Sequence, residues 1–97
     1  MWNYNFYVYI ITNLNKTVLY IGVTNNLEVR IAQHYQNAGD KKTFAGKYYC
    51  HYLVYYEHFT HIEHAIERET ELKKWSRKKK EALIATTNPE WRFLNNG

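Results

Sequence analysis

Cysteine, proline and long hydrophobic runs are scarce in this sequence. The 97-residue chain has one cysteine, Cys50, and one proline, Pro89. A single cysteine excludes an internal disulfide and a cysteine-based zinc cluster, so we expect Cys50 to be a buried, structural thiol. No apolar run is as long as a membrane span and no signal peptide is recognisable, which favours a cytoplasmic location and no membrane partner.

Motifs for several other chemistries are also missing. The sequence has no glycine-rich phosphate loop and no Gly-x-Ser-x-Gly segment, which argues against nucleotide hydrolysis and acyl transfer. His58, His61 and His64 are spaced at three residues, but a His-x-x-x-His pair and a second ligand cluster are absent. We therefore do not expect a zinc site.

Aromatic and basic residues are plentiful. Ten tyrosines and three tryptophans accompany a hydrophobic content of 45%, and the length fits one globular domain spanning residues 1–97. The net charge of +4 is uneven, because the cations of residues 1–40 are balanced by acids. Most of the later cations fall into two groups, which are Lys41, Lys42 and Lys47, and then Lys73, Lys74, Arg77, Lys78, Lys79 and Lys80. This asymmetry predicts a nucleic-acid surface, although a solvated helix face would also explain the basic run.

The order of the predicted elements indicates an α+β domain, in which a three-stranded antiparallel β-sheet is flanked by three or more α-helices. Strands are predicted over 6–11, 18–23 and 52–59, and the first two form a hairpin. A helix over 27–36 follows N-cap candidates at 24–26, and a lysine-rich loop extends to residue 47. The capping box Thr60-x-x-Glu63 predicts a second helix to about residue 75. Ser76 would cap a third helix, Asn88-Pro89 follows its end, and the aromatic tail 90–94 should dock on the body.

The first predicted helix carries two cation-capable side chains beside its apolar stripe. Leu27, Ile31 and Tyr35 form the stripe, and Arg30 and His34, four residues apart, lie at its border. Such a pair has no mutual attraction, so an anion between the two side chains would explain it. A snorkelling arginine with a surface histidine is the alternative.

The second predicted helix has a carboxylate within its apolar face. That face consists of Ile62, Ala65, Ile66 and Leu72, and Glu69 falls inside it. A carboxylate on a buried face is costly unless it is paired with a cation or bound to a metal. Glu69 is therefore either the partner of Arg30 or a nearby lysine, or a hard oxygen ligand for Mg²⁺.

The predicted hairpin can bring two phenols together. Side chains alternate along a strand, so Tyr9 and Tyr20 can share one face, either as a packed aromatic pair or as part of a polar site. Gly22, near the end of the second strand, indicates a bulge, a close approach of another group to the backbone, or a simple strand exit.

In order, these residues resemble the motifs of the GIY-YIG endonuclease family. The matching positions are Tyr7-Val8-Tyr9, then after ten residues Tyr20-Ile21-Gly22, then Arg30, His34, Glu69 and Asn88. The chain looks most similar to the small stand-alone bacterial members, of the UPF0213 type, over nearly its whole length. Tyr7 replaces the glycine of the first motif, which separates the chain from the homing enzymes of the family.

The resemblance implies the GIY-YIG fold and a metal-dependent nuclease that hydrolyses phosphodiester bonds in DNA, in repair or in processing of structured DNA. Glu69 would hold one weakly bound Mg²⁺ or Mn²⁺, whose coordination the substrate phosphate completes. Arg30 would steady the scissile phosphate, and Tyr9 or Tyr20 would orient or deprotonate the attacking water. The remaining assignments are His34 in the proton relay or on the phosphate, Gly22 for close backbone approach, and Asn88 as the asparagine of the late motif.

Two other functions remain open from the sequence. One is a catalytically silent nucleic-acid-binding module of the same fold, which would use only the basic residues. The other is an interaction protein whose positive face binds an acidic protein. The complete set of Tyr9, Tyr20, Arg30, His34 and Glu69 favours the enzyme. A partner protein or dimerisation would add the affinity that the basic segments alone do not supply.

Overall fold

A computed structural model of the chain describes residues 4–95. These residues contain the strands β1 (Phe6–Thr12), β2 (Leu19–Thr24) and β3 (Tyr52–Phe59), and the helices α1 (Leu27–Gln36), α2 (Phe44–Lys47), α3 (Ile62–Lys73) and α4 (Arg77–Ala85). The strands form one antiparallel sheet in the order β2-β1-β3. The predicted α+β class and sheet are confirmed, while the predicted domain limits at residues 1 and 97 lie outside the described residues. None of these helices is long and apolar enough to cross a bilayer.

Alternation along the central strand β1 divides the core in two. Val8 and Ile10 pack with Ala65, Leu72 and Ile84, which belong to α3 and α4. Tyr9 and Ile11 point to the opposite face and pack with Ile31 of α1, Ala45 of α2, Cys50 and Leu53. Because both faces of β1 are covered, it is aromatic and β-branched along nearly its whole length. Burial raises the pKa of Cys50 to about 11, so the expectation of a buried structural thiol is confirmed.

The predicted bounds of α1 are confirmed, but its buried face differs from the predicted stripe. Asn26 caps the helix, since its side chain accepts a hydrogen bond from the backbone nitrogen of Val29 at 3.1 Å. Ile31 and His34 are buried, whereas Tyr35 is exposed. The prediction for Tyr35 is wrong because the polar His34 finds a partner inside the fold and takes the inward position.

Helix α2 lies in the segment that was predicted to be a loop. Thr43 caps it by accepting a hydrogen bond from the backbone nitrogen of Gly46 at 3.0 Å. Ala45 is buried against the second core, and the backbone nitrogen of Cys50 donates to its carbonyl oxygen at 2.8 Å. Four residues are too few to produce a helical hydrophobic period, so the pattern did not predict this turn.

Helix α3 begins one residue later than the capping box predicts. His61 occupies the N-cap position, no side-chain capping bond forms, and Thr60 precedes it, so the capping-box prediction is wrong. Ala65 and Leu72 are buried as expected, but Ile62 and Ile66 are exposed. The buried face is rotated toward the side that carries Arg68, whose guanidinium lies 5.2 Å from the ring centroid of Trp75. Glu69 therefore lies at the border of the buried face rather than within it.

The prediction for α4 and the tail is confirmed. Ser76 caps α4 by accepting a hydrogen bond from the backbone nitrogen of Lys79 at 3.2 Å. Beyond the helix, Trp91 and Phe93 pack against the first core. The backbone nitrogen of Leu94 donates to the carbonyl oxygen of Leu53 at 2.8 Å. The tail is thereby held against the start of strand β3.

Candidate active site

Gly22 makes room for the ring of Tyr9. The two residues are opposite each other in the β1–β2 register, on the face of the sheet that α1 covers. A Cβ atom at Gly22 would lie 2.5 Å from Cζ of Tyr9 and 3.0 Å from its Cε1. The phenol therefore crosses directly over Gly22 toward the edge strand β2. Of the readings left open by the sequence, close approach to the backbone is the one the structure supports, and the approaching group is Tyr9.

The hydroxyl of Tyr9 meets His34 at that edge of the sheet. The oxygen and Nε2 of His34 are 2.8 Å apart, in a buried hydrogen bond between β1 and α1. Tyr20 completes a cluster of three rings, because its centroid lies 6.4 Å from that of Tyr9 and 5.4 Å from that of His34. A buried neutral hydrogen bond contributes about 1 kcal/mol, and losing one partner costs more.

Burial keeps both partners of this hydrogen bond uncharged near neutral pH. It raises the pKa of Tyr9 to about 12, although the neighbouring Arg30 acts to lower it. Burial also lowers the pKa of His34 to about 4, and the positive charge of Arg30 adds to that effect. Tyr9 is thus a protonated phenol and His34 a neutral imidazole, so this pair cannot hold an anion by its own charge.

Arg30 and Tyr20 line a small cavity of about 110 Å³ beside this pair. Arg30 is half-buried and donates from Nη1 to the side-chain oxygen of Gln33 at 3.0 Å. The other lining residues are His34, Asn37, Thr43, Phe44 and Ala45. Tyr9 is only 1% exposed and does not line the cavity, whereas Tyr20 does. A small ligand entering the cavity would therefore meet Tyr20 and Arg30 and not Tyr9.

Glu69 approaches the same group of residues from α3. Its side chain is 17% exposed, and its negative charge is among the influences that raise the pKa of Tyr9. Nζ of Lys73 lies 3.6 Å from Oε2 of Glu69, so of the cations considered in the sequence, a lysine and not Arg30 is the partner. Lys73 is 53% exposed, and such a half-solvated pair contributes little. The carboxylate can therefore exchange its lysine for another cation.

The donor set fits a loosely held divalent ion. Within residues 4–95, no three His, Cys, Asp or Glu side chains come together as a metal cluster, and the rings of His61 and His64 simply contact each other with centroids 5.2 Å apart. Glu69 would therefore be the only acid ligand. A single carboxylate with open positions suits Mg²⁺, which retains water and takes substrate phosphate as a ligand.

Two predicted site residues have structural contacts instead. The amide nitrogen of Asn88 donates to the carbonyl oxygens of Val54 and Arg92, each at 2.9 Å, and the side chain is buried. Arg77 donates to the carbonyl oxygens of Lys16 and Thr17, each at 2.9 Å. Asn88 joins the C-terminal tail to β3. Arg77 joins α4 to the turn between β1 and β2. These contacts give both residues a structural role, and their assignments to the late motif and to nucleic-acid binding stay predictions.

The other predicted basic residues are more available. Lys79 lies 4.1 Å from the ring centroid of Trp75, and Lys73 pairs with Glu69. Within residues 4–95, the remaining cations of the predicted surface form no ion pair; they are Lys41, Lys42, Lys47, Lys74, Lys78 and Lys80. These lysines are the part of the surface that can contact phosphates.

Sequence reasoning missed the contribution of α2 to the cavity. Thr43 and Phe44 form part of its wall, and Phe44 stacks on Tyr20 with ring centroids 6.3 Å apart. Thr43 before a short apolar segment is an N-cap signal that could have indicated the turn. Nothing in the local sequence indicates that this turn lies against Tyr20.

A larger groove, of about 1150 Å³, lies on another part of the surface. It is lined by residues such as Tyr7, Tyr35 and Tyr56, and its described lining includes no lysine or arginine. Arg30, Glu69 and the predicted basic residues all lie outside the lining of this groove. We therefore place the candidate active site at the smaller cavity.

Comparison with known proteins gives the family of the chain. The family model for the GIY-YIG catalytic domain matches residues 5–82, which include the five clustered residues. The chain belongs to the GIY-YIG family. Glu69, Arg30 and the tyrosine–histidine cluster are thus the candidate active site of a GIY-YIG domain. The family match also gives the coarse functional assignment, a domain of a nuclease family.

Individual GIY-YIG relatives are similar along most of their length. A UPF0213 protein of Natronomonas pharaonis is 42% identical over 79 residues, which are 81% of this chain and 89% of the relative. One from Staphylococcus haemolyticus is 40% identical over 78 residues, covering 80% and 92%. The solution NMR structure of a UPF0213 protein from Bacillus halodurans has a TM-score of 0.56 at 33% identity, covering 90% of this chain and 89% of that one. The resemblance found in the sequence is therefore confirmed at the level of family and fold.

Proposed function

We propose that this GIY-YIG domain is a metal-dependent nuclease that hydrolyses phosphodiester bonds in DNA. The observation that carries the proposal is a small cavity lined by Tyr20, Arg30 and His34, beside the buried Tyr9–His34 hydrogen bond. The negative charge of Glu69 reaches Tyr9 from α3. A protein that only binds nucleic acid has no need to keep a partly buried acid close to a buried phenol. The family match supports the reaction class.

Arg30 binds the scissile phosphate in this proposal. Arg30 lines the cavity, and its guanidinium is permanently charged and offers several donors to phosphate oxygens. Negative charge grows on those oxygens during attack by water, so a fixed cation favours the transition state over the bound substrate. A divalent ion held by Glu69 would supply further Lewis-acid stabilisation of that charge.

The two tyrosines have different roles in this proposal. Tyr20 lines the cavity, so its hydroxyl is the one that contacts and orients the attacking water. Tyr9 is buried and its pKa is raised to about 12, so it does not serve as a base in the free protein. Tyr9 instead holds His34 in place through their hydrogen bond and thereby positions the wall of the cavity. His34 is neutral and acts as a proton acceptor or donor for that network.

The decisive experiment compares two acids on α3. Wild-type protein, Glu69→Gln and Glu67→Gln are incubated with plain, flapped and branched DNA, with and without Mg²⁺ or Mn²⁺. Both substitutions remove one negative charge, but Glu67 is exposed whereas Glu69 adjoins the cluster. We expect metal-dependent cleavage by wild type and Glu67→Gln, and none by Glu69→Gln. DNA affinity of Glu69→Gln should be equal or slightly higher, because a negative charge near the phosphates is gone.

The outcome separates the enzyme from the binding module. Equal cleavage by wild type and Glu69→Gln would show that the activity comes from another site or a contaminant. If no substrate is cut with either metal while DNA binding remains salt-dependent, the domain is a silent binding module. Arg30→Ala provides a second check, since it should lower turnover more than affinity.

A further inference from the structure

We propose that Phe44 is a stacking residue for the nucleobase next to the scissile phosphate, so that the substrate strand is unpaired, or easily unpaired, at the cut. Its ring forms part of the cavity wall that also contains Arg30 and Tyr20. The side chain is nevertheless 54% exposed. This inference rests on the proposed nuclease function and adds to it the class of substrate.

The backbone around Phe44 holds the ring in place without burying it. Gly46 is the key residue, because a Cβ there would lie 2.5 Å from the carbonyl oxygen of Asp40 and 2.7 Å from that of Asn37. The backbone nitrogen of Gly39 donates to the carbonyl oxygen of Gly46 at 2.8 Å. With Ala45 buried beneath it, this tightly packed turn presents Phe44 outward. A rigid ring binds a flat ligand at a low cost in conformational entropy.

The aromatic side chains beside Phe44 extend the stack into the site. Phe44 and Tyr20 are nearly parallel, with an angle of 25° between their planes and 6.3 Å between their centroids. Tyr48 packs on Phe44 at 4.9 Å between centroids. A base that stacks on the exposed part of Phe44 would continue this row, one nucleotide away from a phosphate bound by Arg30. Base stacking on aromatic rings is largely independent of sequence.

The charges of the same segment match a nucleic-acid strand. Lys41, Lys42 and Lys47 flank Phe44, and among residues 4–95 they form no ion pair. Nζ of Lys47 lies 5.4 Å from the ring centroid of Tyr48. Cations that alternate with exposed rings are typical of surfaces that bind single strands, where lysines contact phosphates and rings hold bases. The charged segment thus favours a nucleotide strand over an apolar protein partner as the occupant.

This placement sets a condition on the substrate. In a continuous duplex, each base is paired and stacked on its neighbours, so Phe44 could reach it only after it leaves the helix. Unpairing a base costs free energy, which is least in flaps, single strands and frayed ends. We therefore expect those substrates to be cut faster than a continuous duplex of the same sequence.

The test removes the base and the ring separately. In the oligonucleotide that wild type cuts best, each nucleotide flanking the cut is replaced in turn by an abasic one. At one position we expect kcat/KM to fall by about 5- to 150-fold, the range for losing one stacked base. Phe44→Leu should show a similar loss on the intact strand and no further loss on the abasic strand. Phe44→Trp should restore the rate, which shows that the ring and not the fold is responsible.

A control and a binding measurement complete the test. Tyr4→Leu removes an aromatic ring of 61% exposure and should leave the rates unchanged. The affinity of the Glu69→Gln protein is also measured for a single strand that carries an abasic nucleotide at each position in turn, so the inference is tested even if cleavage is never observed. The inference is overturned if Phe44→Leu matches wild type in affinity and rate. The inference is also overturned if Phe44→Leu lowers the rate on the abasic strand by the same factor as on the intact strand. The nuclease proposal would remain intact in that case.

Discussion

Replacing Gly22 by alanine should displace the phenol of Tyr9 and destabilise the domain. The new Cβ would lie 2.5 Å from Cζ of Tyr9, about 1 Å closer than ordinary contact between carbon atoms. Tyr9 is buried and hydrogen-bonded to His34, so moving the ring away from residue 22 would strain or break that hydrogen bond. Overpacking of this kind costs about 1–3 kcal/mol, which lowers the melting temperature of a domain this size by roughly 5–20 °C.

A double-mutant cycle isolates the contact. Tyr9→Leu shortens the side chain so that it no longer crosses residue 22. In that background, Gly22→Ala should cost nothing or stabilise slightly, because alanine loses less backbone entropy than glycine. Thermal or urea unfolding of the four proteins therefore gives a coupling free energy of about 1–3 kcal/mol.

The control is Gly46→Ala, whose Cβ would meet backbone oxygens of residues 37 and 40 and the hydroxyl of Thr43, but not Tyr9. It should destabilise the wild-type and Tyr9→Leu proteins equally. If Gly22→Ala also costs the same in both backgrounds, Gly22 does not serve to admit the ring of Tyr9, and a different constraint requires glycine at this position of β2.

Three further predictions concern His34, Asn88 and the basic run. The folded pKa of His34, about 4, lies below its unfolded value of 6.5, so the unfolded chain binds more protons between these pH values. The unfolding free energy should therefore fall by at most about 3 kcal/mol from pH 6.5 to 4, and His34→Gln should flatten that fall in urea titrations. Asn88→Ala should cost about 2–3 kcal/mol in the same assay, because it leaves the buried carbonyl oxygen of Val54 unpaired; an unchanged midpoint would contradict its structural role. Lys78→Gln combined with Lys80→Gln should reduce the salt dependence of DNA binding by roughly 0.9 in log–log slope for each phosphate that is no longer neutralised, whereas Arg77→Gln should lower stability and leave that slope unchanged.

Elements defined by local contacts could be predicted from the sequence. The bounds of α1 and β3 agree with the prediction, because strand alternation, helical periodicity and the caps Asn26 and Ser76 depend on residues close along the chain. The capping box at Thr60 fails because a local signal does not include the contacts that set where the chain leaves β3. Helix α3 therefore begins one residue later than predicted, with His61 at the N-cap position.

Burial of particular side chains depended on partners that are distant in sequence. Tyr35 and Ile66 are exposed while His34 is buried and Glu69 lies at a border, although periodicity assigns the two apolar residues to the core. A hydrogen bond to Tyr9, 25 positions earlier, makes the inward position of His34 favourable. Periodicity locates the buried face of a helix to within about one residue. Which of two neighbouring residues at the edge of that face is buried depends on the part of the fold that packs against the helix.

By itself, the sequence determined the α+β class, the strands, most helix ends and the family, because all of these follow from residue types at short or fixed spacings. Only the tertiary structure decided that Gly22 admits Tyr9, that α2 forms a wall of the cavity, and that Asn88 and Arg77 hold the fold together. Each of these roles is a contact between segments that the chain brings together only on folding. The spacing of the motif residues identifies the set of candidate site residues, but packing across the sheet determines which of these residues line the cavity.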